Sequence, residues 1–160
     1  MNVTIKKAAI KDGNFLSVEY TEQQPDGFST IKKECKIPVH TDLKLAFRKL
    51  DGHLANLAFQ FDDKGDIPVS KITCKGFTIG GSGDNEGVTL SGVYVLPNDK
   101  TLNITSPFQR FADDFYEYEN MDELMEVLNE CENEVHEYLF NGKHEEDNQL
   151  ALFPELEEAE

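Results

Sequence analysis

The sequence predicts an α+β protein: two antiparallel three-stranded meanders, each followed by a helix (βββα-βββα), with an acidic C-terminal tail. Three observations lead there. Apolar and polar residues alternate over much of 3–39 and 69–107, the period of half-buried strands. Apolar residues recur at helical spacing near 42–59 and 121–140. Turn residues punctuate the strand regions, and 39% hydrophobic content suits one domain with a real core. Residues 1–142 are read as a single domain and 143–160 as a tail.

Val3, Ile5 and Ala9 begin an extended segment that runs to Lys11. Asp12-Gly13-Asn14 is a turn in which glycine supplies positive φ. Leu16, Val18 and Tyr20 alternate, giving a second strand and a hairpin. After the turn Gln24-Pro25-Asp26-Gly27, Ile31, Lys33, Cys35, Ile37 and Val39 fall on one face of a third strand. Thr30, Lys32, Glu34 and Lys36 form its outer face. Pro38 has no N–H to give a ladder, so this strand is an edge or ends there.

Thr41 reads as an N-cap and Asp42 suits a first helical turn. Leu43, Ala46, Phe47, Leu50, Leu54, Leu57 and Ala58 then share one face, which places a helix over about 42–59. Gly52 inside it costs about 1 kcal/mol relative to alanine. Val69–Ile79, Gly87–Leu96 and Thr101–Pro107 are rich in β-branched residues. Gly80-Gly81-Ser82-Gly83-Asp84-Asn85 and Pro97-Asn98-Asp99 separate them as turns. Phe108–Tyr118 is aromatic and acidic and receives no assignment. The last helix is Met121–Phe140, with Asn120 and Glu123 as a capping-box-like start. Its apolar stripe is Met121, Leu124, Met125, Leu128, Cys131, Val135, Tyr138 and Leu139. Gly142 fits the position just past the helix end. The order of elements could reflect an internal duplication, but no residue-level match between the halves stands out.

The net charge is −16, and its distribution matters more than its size. Residues 1–100 carry 13 basic and 13 acidic side chains, whereas residues 101–160 carry 2 and 18. Residues 1–50 alone hold 9 basic and 6 acidic side chains, so a mildly basic front faces a strongly acidic back. No apolar run approaches the roughly 20 residues of a membrane helix, and the alternating start of the chain does not read as a signal peptide. The three cysteines, Cys35, Cys74 and Cys131, are scattered and odd in number, as suits reduced thiols in a cytoplasmic protein.

The most informative stretch is Gln149-Leu150-Ala151-Leu152-Phe153, which follows His144-Glu145-Glu146-Asp147-Asn148 and precedes Pro154 and further carboxylates. Large apolar groups set among charges mark a partner site. The pentapeptide resembles the bacterial sliding-clamp-binding motif, Gln-Leu-(Ser/Asp)-Leu-Phe, with Ala151 in place of the usual Ser or Asp. The resemblance covers five residues. It implies that Gln149 hydrogen-bonds in a small pocket while Leu150, Leu152 and Phe153 fill a hydrophobic cleft on the bacterial sliding clamp. The body resembles only small phage proteins of replication regions, on no diagnostic motif. Together these imply a non-enzymatic accessory protein of bacterial or phage DNA replication, recombination or repair. The plainer account is an accidental match, or apolar residues that fold back onto the body.

Two other readings stay open. Lys6, Lys7, Lys11, Lys32, Lys33 and Lys36 lie on or beside the first and third strands, with Phe15, Tyr20 and Phe28 close by in sequence. Basic faces with aromatic platforms hold single-stranded DNA, and the acidic tail is similar in plan to that of single-stranded DNA-binding proteins. The plainer account is the solvated face of an edge strand. The carboxylates of 113–137 could mimic DNA phosphates, as in some phage inhibitors, or simply solvate a helix face. The stretch 76–83 lacks the Gly-Lys-Ser/Thr ending of a phosphate loop and reads as a hairpin turn. His40, His53, His136 and His144 show no metal-ligand spacing with the cysteines, and no nucleophile turn is present. No enzymatic activity, cofactor, metal or membrane association is expected.

Overall fold

A computed structural model gives the fold and describes residues 2–59, 69–113 and 117–145. Strand β1 (Asn2–Lys11) turns into β2 (Phe15–Gln24), and β2 into β3 (Gly27–Glu34). Asp12 and Gly13 have φ of 55° and 73°, and the Asn14 N–H donates to the Lys11 carbonyl at 3.1 Å. Two positive-φ central residues make the turn whose twist matches that of paired strands, which is why Asp-Gly stands there. Helices α1 (Thr41–Arg48) and α2 (Asp51–Ala58) follow, then β4 (Ile72–Gly80), β5 (Gly87–Val95), β6 (Thr101–Thr105) and the short β7 (Gln109–Arg110). Helix α3 (Met121–Asn141) comes last.

The strands form one antiparallel sheet in the order β3-β2-β1-β4-β5-β6, with β7 paired to β5. The two meanders are therefore joined through β1 and β4, with Ala8 opposite Phe77. The α+β class and the antiparallel sheet hold. The repeating βββα order does not describe the chain as it stands: two helices follow the first meander, and a seventh strand follows the second.

Both central strands break the period of two in the same way. The β1–β2 register shifts between Ile5 and Lys7, which makes Lys6 the extra residue of a bulge. The β4–β5 register shifts between Cys74 and Gly76, which does the same for Lys75. Each bulge flips the side-chain alternation once. Val3 and Ile5 therefore share the core face with Ala8 and Ile10, and Ile72 and Cys74 share it with Phe77 and Ile79. Aligned on the bulges, Val3-Thr4-Ile5-Lys6-Lys7-Ala8-Ala9-Ile10 matches Ile72-Thr73-Cys74-Lys75-Gly76-Phe77-Thr78-Ile79, with Thr, Lys and Ile identical. This is the residue-level correspondence between halves that the strict alternation hides.

The helices cover the core face. Phe47, Leu43, Leu50, Leu54, Leu57, Leu124 and Val135 are fully buried where the helices pack on β1, β4 and β5, and the Phe47 and Phe77 rings lie 5.9 Å apart. Gly92 on β5 permits this approach: a Cβ there would fall 2.0 Å from the Thr73 carbonyl oxygen and 2.9 Å from Leu54 Cδ2. The opposite face carries no helix, and Lys7, Lys11, Lys32, Thr78, Ser91 and Thr105 stand exposed on it.

Several local expectations are corrected. The helix over 42–59 breaks at Lys49–Leu50, where the N–H groups of both residues donate three residues back, to Ala46 and Phe47. The tighter turn keeps Leu50 buried at the junction and moves Gly52 to the first turn of α2. His40, not Thr41, caps α1: its backbone is extended, and its Nδ1 accepts the Asp42 N–H at 3.0 Å. Asn120 makes no side-chain cap, because its backbone (φ −101°, ψ 31°) is not the extended form a capping side chain needs. On α3, Met125 is 45% exposed and Val127 takes its place in the buried stripe. The third strand ends at Glu34, so Ile37 is exposed instead of alternating inward. The fourth begins as a 3-10 turn at Val69–Lys71. Gly81 and Gly83, both at positive φ, shape a hairpin turn.

Candidate functional site

Gln149, Leu150, Leu152 and Phe153 lie outside the described residues, but the root of their segment does not. Gly142 takes the left-handed φ of 71° that ends the helix, and the Lys143 N–H reaches back to the Glu137 carbonyl at 3.2 Å. Lys143 Nζ then sits 2.9 Å from Asp42 Oδ2 and 2.9 Å from Glu134 Oε1. The Asp42 and Glu134 hydrogen bonds raise the Lys143 pKa, and the Lys143 bond lowers that of Asp42. His144 makes an isolated bridge to Val39, its ring 4.5 Å from that of Tyr138. The Tyr138 hydroxyl donates to the Ile37 carbonyl at 2.5 Å, and the Glu145 N–H donates to the Pro38 carbonyl at 3.1 Å. The chain thus leaves the body at a fixed point beside the β3–α1 connection. Pro38, which cannot donate to a ladder, serves there as an acceptor.

The six lysines do not gather on one face. Lys7, Lys11 and Lys32 share the helix-free face, interleaved with Glu19 and Glu34. Lys11 Nζ is 3.3 Å from Glu34, and Lys32 Nζ is 3.6 Å from Glu19. A hydrogen bond from Ser17 and another from Lys11 hold the Glu34 carboxyl below the usual range. Lys33 pairs with Val18 and so faces the helix side at the sheet edge, and Lys36 follows the strand. Lys6, in the β1 bulge, lies close enough to Glu132 on α3 to counter the burial and the Glu86 charge that raise that carboxyl. The aromatic platforms separate too. Phe28 is 68% exposed, and Phe15 is half-buried opposite Lys11. Tyr20 is buried in the core, its ring 5.5 Å from that of Phe140.

A different basic group forms where the sequence gives no contiguous signal. Lys44 and Arg48, one helical turn apart on α1, line a cleft with Lys75 of the β4 bulge, Ile10, Gly13 and Thr73. Lys44 and Arg48 were readable as an i, i+4 pair, but Lys75 joins them only through the bulge and the chain crossover. On α3, Glu130 meets Lys49 at 2.9 Å and Glu134 meets Lys143, so part of the acidic face is internally matched.

Two further environments are structural. His53 is 5% exposed, with Nδ1 2.7 Å from the Tyr118 hydroxyl and Nε2 3.9 Å from Glu123. Burial lowers its pKa, partly offset by Glu123. Asn56 Nδ2 reaches the same hydroxyl at 3.4 Å, which anchors the end of the Phe108–Tyr118 stretch to α2. Burial pushes the Cys74 thiol up to about 12 and raises that of Cys131, and all three cysteines are free. Among the described residues, no three His, Cys, Asp or Glu side chains converge as a metal site, and no helix is long and apolar enough to cross a membrane. No family model, curated protein or solved structure matches the chain.

Proposed function

We propose that the protein is a non-catalytic accessory factor of bacterial or phage DNA replication, recombination or repair, acting in the cytoplasm and recruited to the sliding clamp through Gln149, Leu150, Leu152 and Phe153. The observation that carries this reading is the apolar pentapeptide set between carboxylates, four residues beyond an anchored root. A few buried apolar anchors carry most of the energy of such interfaces. The root supports the reading mechanically, since the span from Glu145 to Gln149 is at most about 14 Å when extended. A tether this short holds the body against its partner and raises the effective concentration of whatever the body contacts there. No comparable observation favours single-stranded DNA on Lys7, Lys11 and Lys32, beside which Glu19 and Glu34 already stand. The same holds for a DNA-mimic role of α3.

The test is fluorescence anisotropy of a labelled 143–160 peptide with purified bacterial sliding clamp, beside the Gln149→Ala/Phe153→Ala control. The expected outcome is micromolar binding that the double substitution abolishes. Absence of binding, or equal binding by the control, overturns the proposal.

A further inference from the structure

We propose that the cleft between the β1–β2 turn, α1 and the β4 bulge is a phosphate-binding site, with Lys44, Arg48 and Lys75 as its cationic groups. This goes beyond the recruitment reading and does not rest on it.

The three cations come from two elements that the chain crossover brings together, and they line one cleft of about 210 Å³. That is smaller than the roughly 300–1,000 Å³ of pockets for drug-sized ligands, and it suits a single small anion or one phosphate of a larger molecule. Two of the cations are held in position. Lys44 Nζ donates to Asn14 Oδ1 at 2.5 Å, and Arg48 Nη2 donates to the Cys74 carbonyl at 2.5 Å. Both acceptors are neutral, so these bonds orient the side chains without cancelling their charge. Asp51 does part of that: its Oδ2 is 3.6 Å from Arg48 Nε, while its Oδ1 accepts the Cys74 N–H at 2.7 Å. No ion pair is formed by Lys44 or Lys75 among the described residues. Three cations against one carboxylate leave the cleft with a net charge of about +2. Like charges held together are destabilising in the absence of an anion.

The equivalent position in the other half sharpens the point. Lys6 occupies the matching bulge of β1, and there α3 brings Glu132 near enough for the two charges to interact. One bulge lysine has a carboxylate near it, whereas the other lines a cleft with a lysine and an arginine. The fold does not require the basic arrangement, because the same local geometry accommodates the acidic one. Thr73 adds a hydroxyl to the cleft wall, and Arg48 has guanidinium N–H groups beyond those engaged with Cys74 and Asp51.

The experiment is amide-resolved NMR titration of the full-length chain at low salt with two probes, inorganic pyrophosphate and a short oligothymidylate. The expected result is shift changes at 12–14, 44–48 and 73–76. Lys75→Gln should weaken binding about tenfold, the value of one charge-assisted hydrogen bond, while Lys32→Gln on the open face leaves it unchanged. Lys75 is exposed, so its substitution leaves the core intact. Response to both probes assigns a free phosphate site, and response to the oligonucleotide alone assigns a backbone contact. Shifts confined to Lys7, Lys11 and Lys32, no shift with either probe, or unchanged binding by Lys75→Gln would each overturn the proposal.

Discussion

Gly92 shows how much one missing side chain decides. Because a Cβ at position 92 would run into Thr73 and Leu54, the Gly92→Ala protein is expected to lose about 2 kcal/mol through overpacking, read as a lower urea midpoint at unchanged slope. Glu132 makes a prediction of opposite sign. Burial, with Glu86, raises its folded pKa above the unfolded value of 4.5. The folded state therefore holds the proton more tightly, and the ionised carboxylate weakens the fold at neutral pH. Glu132→Gln is expected to stabilise the protein at pH 7. That gain should vanish as pH falls through the raised folded value to 4.5, as a pair of pH-dependent melting series would show. His53 behaves in the other direction. Its folded pKa is lowered from 6.5 by burial, so its contribution is fully present above 6.5 and is lost as pH falls through 6.5 toward the folded value. None of these shifts was legible in the sequence, since each depends on burial and on neighbours 46 to 126 residues away in the chain.

The strands were legible because their apolar alternation survives on either side of each interruption. The bulges were not, because a search for strict alternation discards the two polar residues that mark them. They have a testable consequence. Deleting Lys75 removes the extra residue and sets Cys74 directly before Gly76, so the pairs Cys74–Gly92 and Gly76–Ser91 become consecutive and Ile72 and Cys74 keep the core face. The deletion is expected to preserve the fold, at a loss below the roughly 2 kcal/mol that turning Ile72 outward would cost, as a thermal melt would show. The helix stripe was equally readable, yet Met125 and Val127 exchanged roles because packing against the sheet, not spacing alone, selects the buried arc. The Asn120 cap failed for a similar reason: the chain approaches α3 from the Tyr118 anchor, and that approach fixes its backbone. At the far end of α3, Lys143→Ala is expected to cost about 1 kcal/mol. It should also speed amide exchange at residues 143–145 while leaving the first turns of the helix protected.

Across the whole molecule, the sequence revealed the charge asymmetry and the α+β class, but not that one sheet unites the meanders. Antiparallel pairing of β1 with β4 joins segments almost seventy residues apart, and no local pattern encodes it. The clamp-binding-like peptide was visible because it is contiguous. The basic cleft was invisible because its residues meet only after folding. The united core also sets the chemistry of the thiols. Burial raises the pKa of all three thiols, but Cys74 and Cys131 are fully enclosed whereas Cys35 is only half-buried at the edge. Alkylation of the native protein is expected to modify Cys35 first, and Cys74 and Cys131 at rates set by global unfolding.

The stitched root of the tail also determines how the domain bears force. Residues 143–145 are fastened to Pro38, Val39 and Asp42, so tension applied beyond residue 145 does not fall on the end of α3 alone. It is divided between the helix and the connection from β3 to α1. These clasps must yield before α3 can be peeled from the sheet, so they act as the fold's mechanical fuse.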